Sequence, residues 1–254
     1  GVPEAELFMA AAAQLRANNS IPDLLLFMSH PKTVATGLRD SKSDKPKDLL
    51  VSRERLEREG IAFVCSIRGG GITYHWPGQV VCYPVIALKS TERDISMYMS
   101  NLEQVCIETL RVFGLEASRR RDSAAHLGLW LNGKKIVSMG IRVKKWITSF
   151  GFALNLEGDI SPSSYLNPCG LKGVKLTTVE EALGRSPKRE QVIHEISKSF
   201  QRLFRRRLQF ASEHLIRKIK AAYREVLAGS DAGHYRSMPN MEHWLMVSSG
   251  LKCN

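Results

Sequence analysis

At 254 residues, with 43% hydrophobic and 24% charged residues, the chain can bury a sizeable core and is too apolar to stay disordered. No stretch approaches the ~18 uninterrupted apolar residues of a membrane span, and no basic segment leads into an apolar signal core, so the sequence reads as cytoplasmic, or as an organelle-matrix protein if a leader was removed. The net charge of +12 favours acidic partners.

Residues 4–18, rich in Ala and Leu, predict an opening helix, and the apolar run 23–28 has strand length before Ser29-His30-Pro31. Residues 40–48 read as a polar loop, followed by a helical pattern through Leu50 and Leu56 to Glu59. A strand over 62–67 leads straight into Gly69-Gly70-Gly71, and 79–88 reads as the next strand. The glycine run is therefore a strand-to-strand connection. A dinucleotide-binding glycine loop would enter a helix, and a phosphate loop would end in Gly-Lys-Ser/Thr, so both are excluded.

Helical spacing covers 95–112, followed by a hairpin whose arms, 127–135 and 136–143, flank an Asn132-Gly133 turn signal. A strand over 149–156 precedes a loop through Ser161-Pro162-Ser163-Ser164. A short capped helix falls within 174–183, marked by Thr177-Thr178 and an acidic first turn. Helices over 187–208 and 211–228 follow. Interleaved strands and helices with hairpin connections predict a mixed α+β domain.

The five cysteines, Cys65, Cys82, Cys106, Cys169 and Cys253, are odd in number and contain no CxxC pair, which points to a reducing compartment and away from a disulfide framework or zinc cluster. Cys65, Cys82 and Cys106 stand beside valines and are expected in the core. Cys169 differs, lying between Pro168 and Gly170. From Arg185 onward fourteen Lys or Arg face six Asp or Glu. Arg205-Arg206-Arg207 and Arg217-Lys218-Ile219-Lys220 concentrate this charge. Without aromatic interleaving or a nucleic-acid motif it reads as a solvated basic face.

Four segments carry chemistry. They are Arg68-Gly69-Gly70-Gly71-Ile72-Thr73-Tyr74-His75-Trp76-Pro77-Gly78-Gln79, Gly133-Lys134-Lys135-Ile136-Val137-Ser138-Met139-Gly140, Phe150-Gly151-Phe152-Ala153-Leu154-Asn155, and Leu166-Asn167-Pro168-Cys169-Gly170. Together they offer a thiol, an amine and a flexible backbone pocket, a set suited to covalent acyl transfer. A thiol of pKa about 8.5 is mostly protonated at neutral pH, and a nearby ammonium enriches the thiolate. Glycine-rich backbone lets N–H groups approach a developing oxyanion.

In these motifs and their order, residues 4–183 resemble the octanoyltransferase family of lipoate biosynthesis. The resemblance implies the α+β fold of lipoate and biotin protein ligases, a mixed sheet with packed helices. It implies transfer of an octanoyl group from acyl carrier protein to a lysine of lipoyl domains, those of 2-oxoacid dehydrogenases and the glycine cleavage H protein. No metal, ATP or other cofactor is implied. Cys169 matches the acyl-carrying cysteine and Lys135 the lysine that assists it, whereas Lys134 is assigned to solvent. Arg68, Gly69, Gly70, Gly71, Ile72, Thr73, Tyr74, His75, Ser138, Met139, Gly140, Gly151, Phe152 and Ala153 match substrate-binding segments, and His30 has a counterpart after the family's early strand.

Two residues depart from the family pattern. Trp76 stands for the usual glycine and is expected to add a ring to the pocket wall, and Phe150 stands for a histidine. An ATP-dependent lipoate or biotin-protein ligase is the alternative on the same fold, but it would need an adenylate-binding lysine motif and no cysteine. A basic binding module with a vestigial site is a third reading. The domain division expected is 1–208 catalytic and 209–254 a basic helical extension of unknown role, with acidic carrier and lipoyl domains as candidates for its charge.

Overall fold

A computed structural model describes residues 1–39, 46–120, 127–229 and 245–248, and at position 169 the backbone alone. The elements of the first half are α1 (Val2–Ala17), β1 (Leu24–Met28), β2 (Thr33–Thr36), α2 (Arg53–Arg58), β3 (Ala62–Cys65), β4 (Thr73–His75), β5 (Gln79–Val85) and α3 (Ile95–Val112). Those of the second are β6 (Ser118–Arg119), β7 (Leu129–Leu131), β8 (Lys134–Lys144), β9 (Ile147–Asn155), α4 (Val179–Leu183), α5 (Arg189–Phe204), β10 (Leu208–Phe210), α6 (Glu213–Ala228) and β11 (Leu245–Ser248). Most of the polar loop read over 40–48, and Cys253, lie outside the described residues.

Eight strands form the main sheet in the order β10-β11-β1-β5-β9-β8-β7-β6, and β3-β2-β4 form a second sheet. Neighbours in the main sheet pair antiparallel. Between named strands, parallel pairing is confined to β2 and β3. The architecture is α+β, with helices on both faces of the main sheet.

Strand β5 shows why both faces are covered. All seven of its residues are buried, and successive side chains point to opposite faces. Val80 and Cys82 enter a core shared with Leu102 and Leu110 of α3 and Ile196 and Phe200 of α5. Val81, Tyr83 and Val85 enter the opposite core with Phe8 and Met9 of α1 and Tyr223 of α6. A third cluster, including Leu56, Tyr74, Trp76 and Leu166, fills the space against the small sheet. Cys82 and Cys106 are buried as expected, but Cys65 is exposed. It ends β3, whose burial pattern places both end residues in solvent.

The sheet and core continue across position 208. β11 pairs with β1, Leu24 opposite Val247, and β10 pairs with β11. Helix α6 lies on α1, where the Phe8 and Tyr223 rings are 6.2 Å apart. The arginine triplet does not form one solvated face. Arg205 takes a left-handed φ of 50° that ends α5, and Arg206 is buried at 6% exposure. The Arg206 Nε donates to Asp23 at 2.9 Å, and its Nη1 and Nη2 donate to Glu92 at 2.6 and 2.7 Å. Asp23 also accepts from Arg16 at 2.6 Å and from the Ala87 N–H at 2.9 Å. Burial favours neutral Glu92, but the Arg206 hydrogen bonds prevail and hold its carboxyl below the usual range.

Candidate active site

A cleft opens on the α1 face of the main sheet, where the loop after β3 crosses β8 and β9. Its walls are Arg68, Ile72, Thr73 and His75, Ser138–Gly140, Gly151–Ala153, Tyr83 and Pro168. Ten of the expected substrate-binding residues are thus gathered on one cavity. The loop is held by its own arginine, 8% exposed. Arg68 Nη2 donates to the carbonyls of Ala35 and Gly71 at 2.9 and 2.7 Å, and Nη1 to that of Gly69 at 3.1 Å. The Gly69 N–H in turn donates to Ile141 of β8 at 3.0 Å. Gly69, Gly70 and Gly71 shape this turn rather than the cleft wall, and Gly70 takes a φ of 91° that disfavours other residues.

Strand alternation decides which residues of β4 face the cleft. Thr73 and His75 do, while Tyr74 and Trp76 point into the third cluster, stacked with ring centroids 5.4 Å apart. Two expectations are corrected here: Tyr74 is not a wall residue, and Trp76 does not narrow the cleft. The Trp76 indole instead donates to the Glu157 carbonyl at 2.8 Å.

Phe150 also leaves the cleft wall. It adopts a left-handed φ of 58° and packs in the α1 core, its ring 5.7 Å from that of Tyr83. There it borders a second cavity of about 470 Å³ between α1 and the β8–β9 hairpin, with Met9, Ile147 and Arg142. One step on, Gly151 is required sterically, since a Cβ there would stand 2.3 Å from the Cys82 carbonyl oxygen.

Lys135 is 1% exposed, and the register of β8 explains its direction. Trp130 faces Lys135 whereas Leu129 faces Val137, so Ile136 is an extra residue on β8, a bulge. Both Ile136 and Val137 point into the α3 and α5 core. The bulge therefore returns Lys135 to the face of Ser138, a re-aiming that simple alternation would not give. The Lys135 Nζ lies 5.8 Å from the Trp130 ring centroid. Its N–H donates to Lys175 at 2.8 Å and its carbonyl accepts from Thr177 at 3.0 Å. Lys135 is not among the cleft-wall residues. Lys134 turns outward to pair with Glu181.

Cys169 lies in the short 3-10 turn Pro168–Gly170, whose Pro168 closes one end of the cleft. That turn is tied in place by the Asn167 N–H donating to Asp48 at 2.8 Å and by the Leu49–Leu166 bridge.

Behind the cleft run polar groups to which the sequence reading gave no role. Gln79 and Asn155 end two of the motifs as amides at the edge of apolar strand-like runs, the one signal the sequence offers; the fold buries them to 1% and 0% on β5 and β9, where an amide must be hydrogen-bonded. His75 Nδ1 is 2.8 Å from Gln79 Oε1, and Gln79 Nε2 donates to Asn155 at 3.0 Å. His30 is buried nearby, its ring centroid 5.1 Å from that of His75 and its Nε2 3.1 Å from the Tyr83 hydroxyl. Burial, and then the Arg68 charge, lower the His75 pKa to about 4. Burial also lowers His30 well below the ordinary histidine value. Both rings are neutral at physiological pH. Arg189, opening α5, clamps the β4–β5 turn by donating to Gln79 and Pro77 carbonyls at 2.5 and 2.7 Å.

This arrangement accompanies likeness to known proteins. Residues 5–201 match the family model of the lipoyl protein ligase A/B catalytic domain. An octanoyltransferase of Caldicellulosiruptor saccharolyticus is 37% identical over 207 residues, 81% of this chain and 86% of its own. One from Solibacter usitatus is 38% identical over 192 residues, 76% of this chain and 83% of its own. Among solved structures, a lipoate-protein ligase A bound with ATP has a TM-score of 0.68 at 18% identity, covering 87% of this chain and 89% of its own. A chain from a Thermoplasma acidophilum structure of a bipartite lipoate protein ligase and its E2 lipoyl domain gives 0.65 at 17%, covering 91% and 93%. These two likenesses speak to fold alone.

Proposed function

Since the chain belongs to the lipoyl protein ligase A/B catalytic domain family, we propose that it is an octanoyltransferase that carries the acyl group as a thioester on Cys169. The donor is octanoyl-acyl carrier protein, and the acceptor is a lysine of a lipoyl domain. The observation that carries this reading is the convergence of the glycine loop, Ser138–Gly140, Gly151–Ala153 and Pro168, neighbour of Cys169, on one cleft.

In this mechanism Lys135 enriches the Cys169 thiolate and handles its proton. The thiolate attacks the donor thioester, and a new thioester forms as the carrier thiol leaves. The acceptor amine then attacks, an amide forms, and the Cys169 sulfur departs. Passage from thioester to amide is downhill, so no nucleotide is consumed. The free thiols Cys65, Cys82 and Cys106 suit a reducing compartment such as the cytoplasm. Among the described residues no helix is long and apolar enough to cross a membrane.

Intact-protein mass after incubation with octanoyl-acyl carrier protein, without ATP, tests the reading. Wild type should gain about one octanoyl group that hydroxylamine removes, and Cys169→Ser should gain none, as a thioester requires. An adduct that appears with ATP alone, or that persists in Cys169→Ser, would refute it.

The exposed basic residues of α6 suit the acidic surface of a carrier protein. Arg217, Lys218 and Arg224 are exposed. Arg217→Glu with Arg224→Glu should raise the KM for octanoyl-acyl carrier protein and flatten its dependence on salt, with kcat unchanged. An unaltered KM at every ionic strength would dispose of a docking role for this helix.

A further inference from the structure

The hydrogen bonds behind the cleft fix which nitrogen of His75 carries the proton. Asn155 Nδ2 donates to the carbonyls of Lys135 at 3.3 Å and Thr177 at 3.0 Å. Both are acceptors only, so the amide nitrogen must lie on that side and Oδ1 on the other. Gln79 meets Oδ1 and must present its own nitrogen there, at 3.0 Å. Its oxygen is left for His75 Nδ1, at 2.8 Å. A carbonyl oxygen cannot donate, so Nδ1 bears the hydrogen, and in a neutral ring Nε2 is bare.

We propose that Asn155 and Gln79 are positioning residues that lock His75, a cleft-lining residue, in the Nδ1–H tautomer, leaving Nε2 bare to accept the proton released by the attacking lysine amine. This rests on the acyl-transfer reading and assigns its second half. The amine nitrogen bonds to the acyl carbon and the bond from that carbon to the Cys169 sulfur breaks. The proton lost by nitrogen passes to Nε2 and then to the departing sulfur, so charge and atoms balance.

Among the described residues, the charged and titratable neighbours of His75 are Arg68 and His30, with Tyr83 beyond His30. Arg68 opposes protonation of the empty site, while negative charge developing on the tetrahedral oxygen favours it. Proton acceptance is therefore timed to the intermediate. The same Asn155 amide holds the Lys135 carbonyl, so the Lys135 backbone and the His75 ring share one support.

The test is long-range ¹H–¹⁵N correlation on histidine-labelled full-length protein, with the His75 signal identified by its loss in His75→Gln. Wild type should show Nδ1–H and a bare Nε2 from about pH 5 to 8, the range over which a free histidine titrates. Gln79→Met should lose that single tautomer. It should still load octanoyl from the carrier, yet form amide from the acyl-enzyme at least about tenfold more slowly, the low end of a lost proton acceptor. Gln79→Glu, whose burial favours the neutral acid, can donate its hydroxyl to Asn155 Oδ1 and still accept from Nδ1, so it should retain the tautomer and load octanoyl.

If Gln79→Met does not fold, the wild-type and Gln79→Glu spectra decide. An Nε2–H tautomer in wild type, or an unchanged tautomer in folded Gln79→Met, overturns the proposal. Absence of octanoyl loading in wild type would instead overturn the acyl-transfer reading, and with it the catalytic use of His75, whatever tautomer the spectrum reports.

Discussion

Lys135→Met is expected to lower octanoyl transfer by about 10²–10⁴-fold, the usual worth of a positioned acid–base group, a loss far larger than any accompanying change in melting temperature accounts for. The two readouts separate because of where the residue sits. Lys135 is 1% exposed beside Trp130, and its backbone is pinned by Lys175 and Thr177. Methionine keeps the length and apolar stem of the lysine against Trp130, so the swap removes the amine while largely conserving side-chain volume. Lys135→Arg should not rescue activity, since a guanidinium keeps its proton and its planar fork does not fit a lysine's slot. The measurement pairs steady-state transfer with thermal melting. Activity that merely follows stability across Met and Arg variants would reduce Lys135 to a structural residue.

The parts of the fold legible in the sequence were those governed by local rules. The helical spacing over 95–112 coincides with α3, and Asn132-Gly133 makes its hairpin turn with φ of 48° and 76°, as that dipeptide favours. Strands β2 and β4 escaped because they are short and take their partners from distant segments, Thr33 pairing with Ala62 and with His75. The Lys145-Trp146 turn carries no glycine or asparagine signal, though both residues adopt positive φ, 51° and 61°. Its conformation follows from the long pairing of β8 with β9, which leaves only those two residues to reverse the chain.

The site divides the same way. Motif order named most of the cleft wall, but side-chain direction depends on register. Trp76 follows its strand's alternation into the third cluster, and Phe150 turns into the α1 core through a positive φ. The face of Lys135 depends on one extra residue, Ile136, that no local pattern announces. Gln79 and Asn155 were visible as residues but not as a relay, because only pairing of β5 with β9 brings them opposite one another.

Arg206→Ala is expected to destabilise the protein by about 3–5 kcal/mol, the cost of stranding partners of a buried ion pair. The guanidinium joins three distant pieces: Asp23 before β1, Glu92 before α3, and the segment between α5 and β10. Asp23 keeps Arg16, but its second oxygen loses its donor, and Glu92 loses both Arg206 hydrogen bonds, its Oε2 keeping only the Lys89 N–H at 2.9 Å. An exposed pair gives the contrast. Arg217→Ala removes a contact with Glu213 on the solvent side of α6 and should cost less than about 1 kcal/mol. The pH dependence has a definite sign. Glu92 is held below its ordinary 4.5 in the folded protein, so the stability it contributes is present above that pH and is lost as pH falls through the lower, folded value. The gap between wild type and Arg206→Ala should accordingly be full at pH 7 and narrow in acid below about 4.5, a window set by that linkage. Urea unfolding of both variants at neutral and acidic pH measures the gap. A loss no greater than that of Arg217→Ala would mean that the segment beyond α5 is not anchored through Arg206, and that α6 and the strands following it are held by their apolar contacts alone.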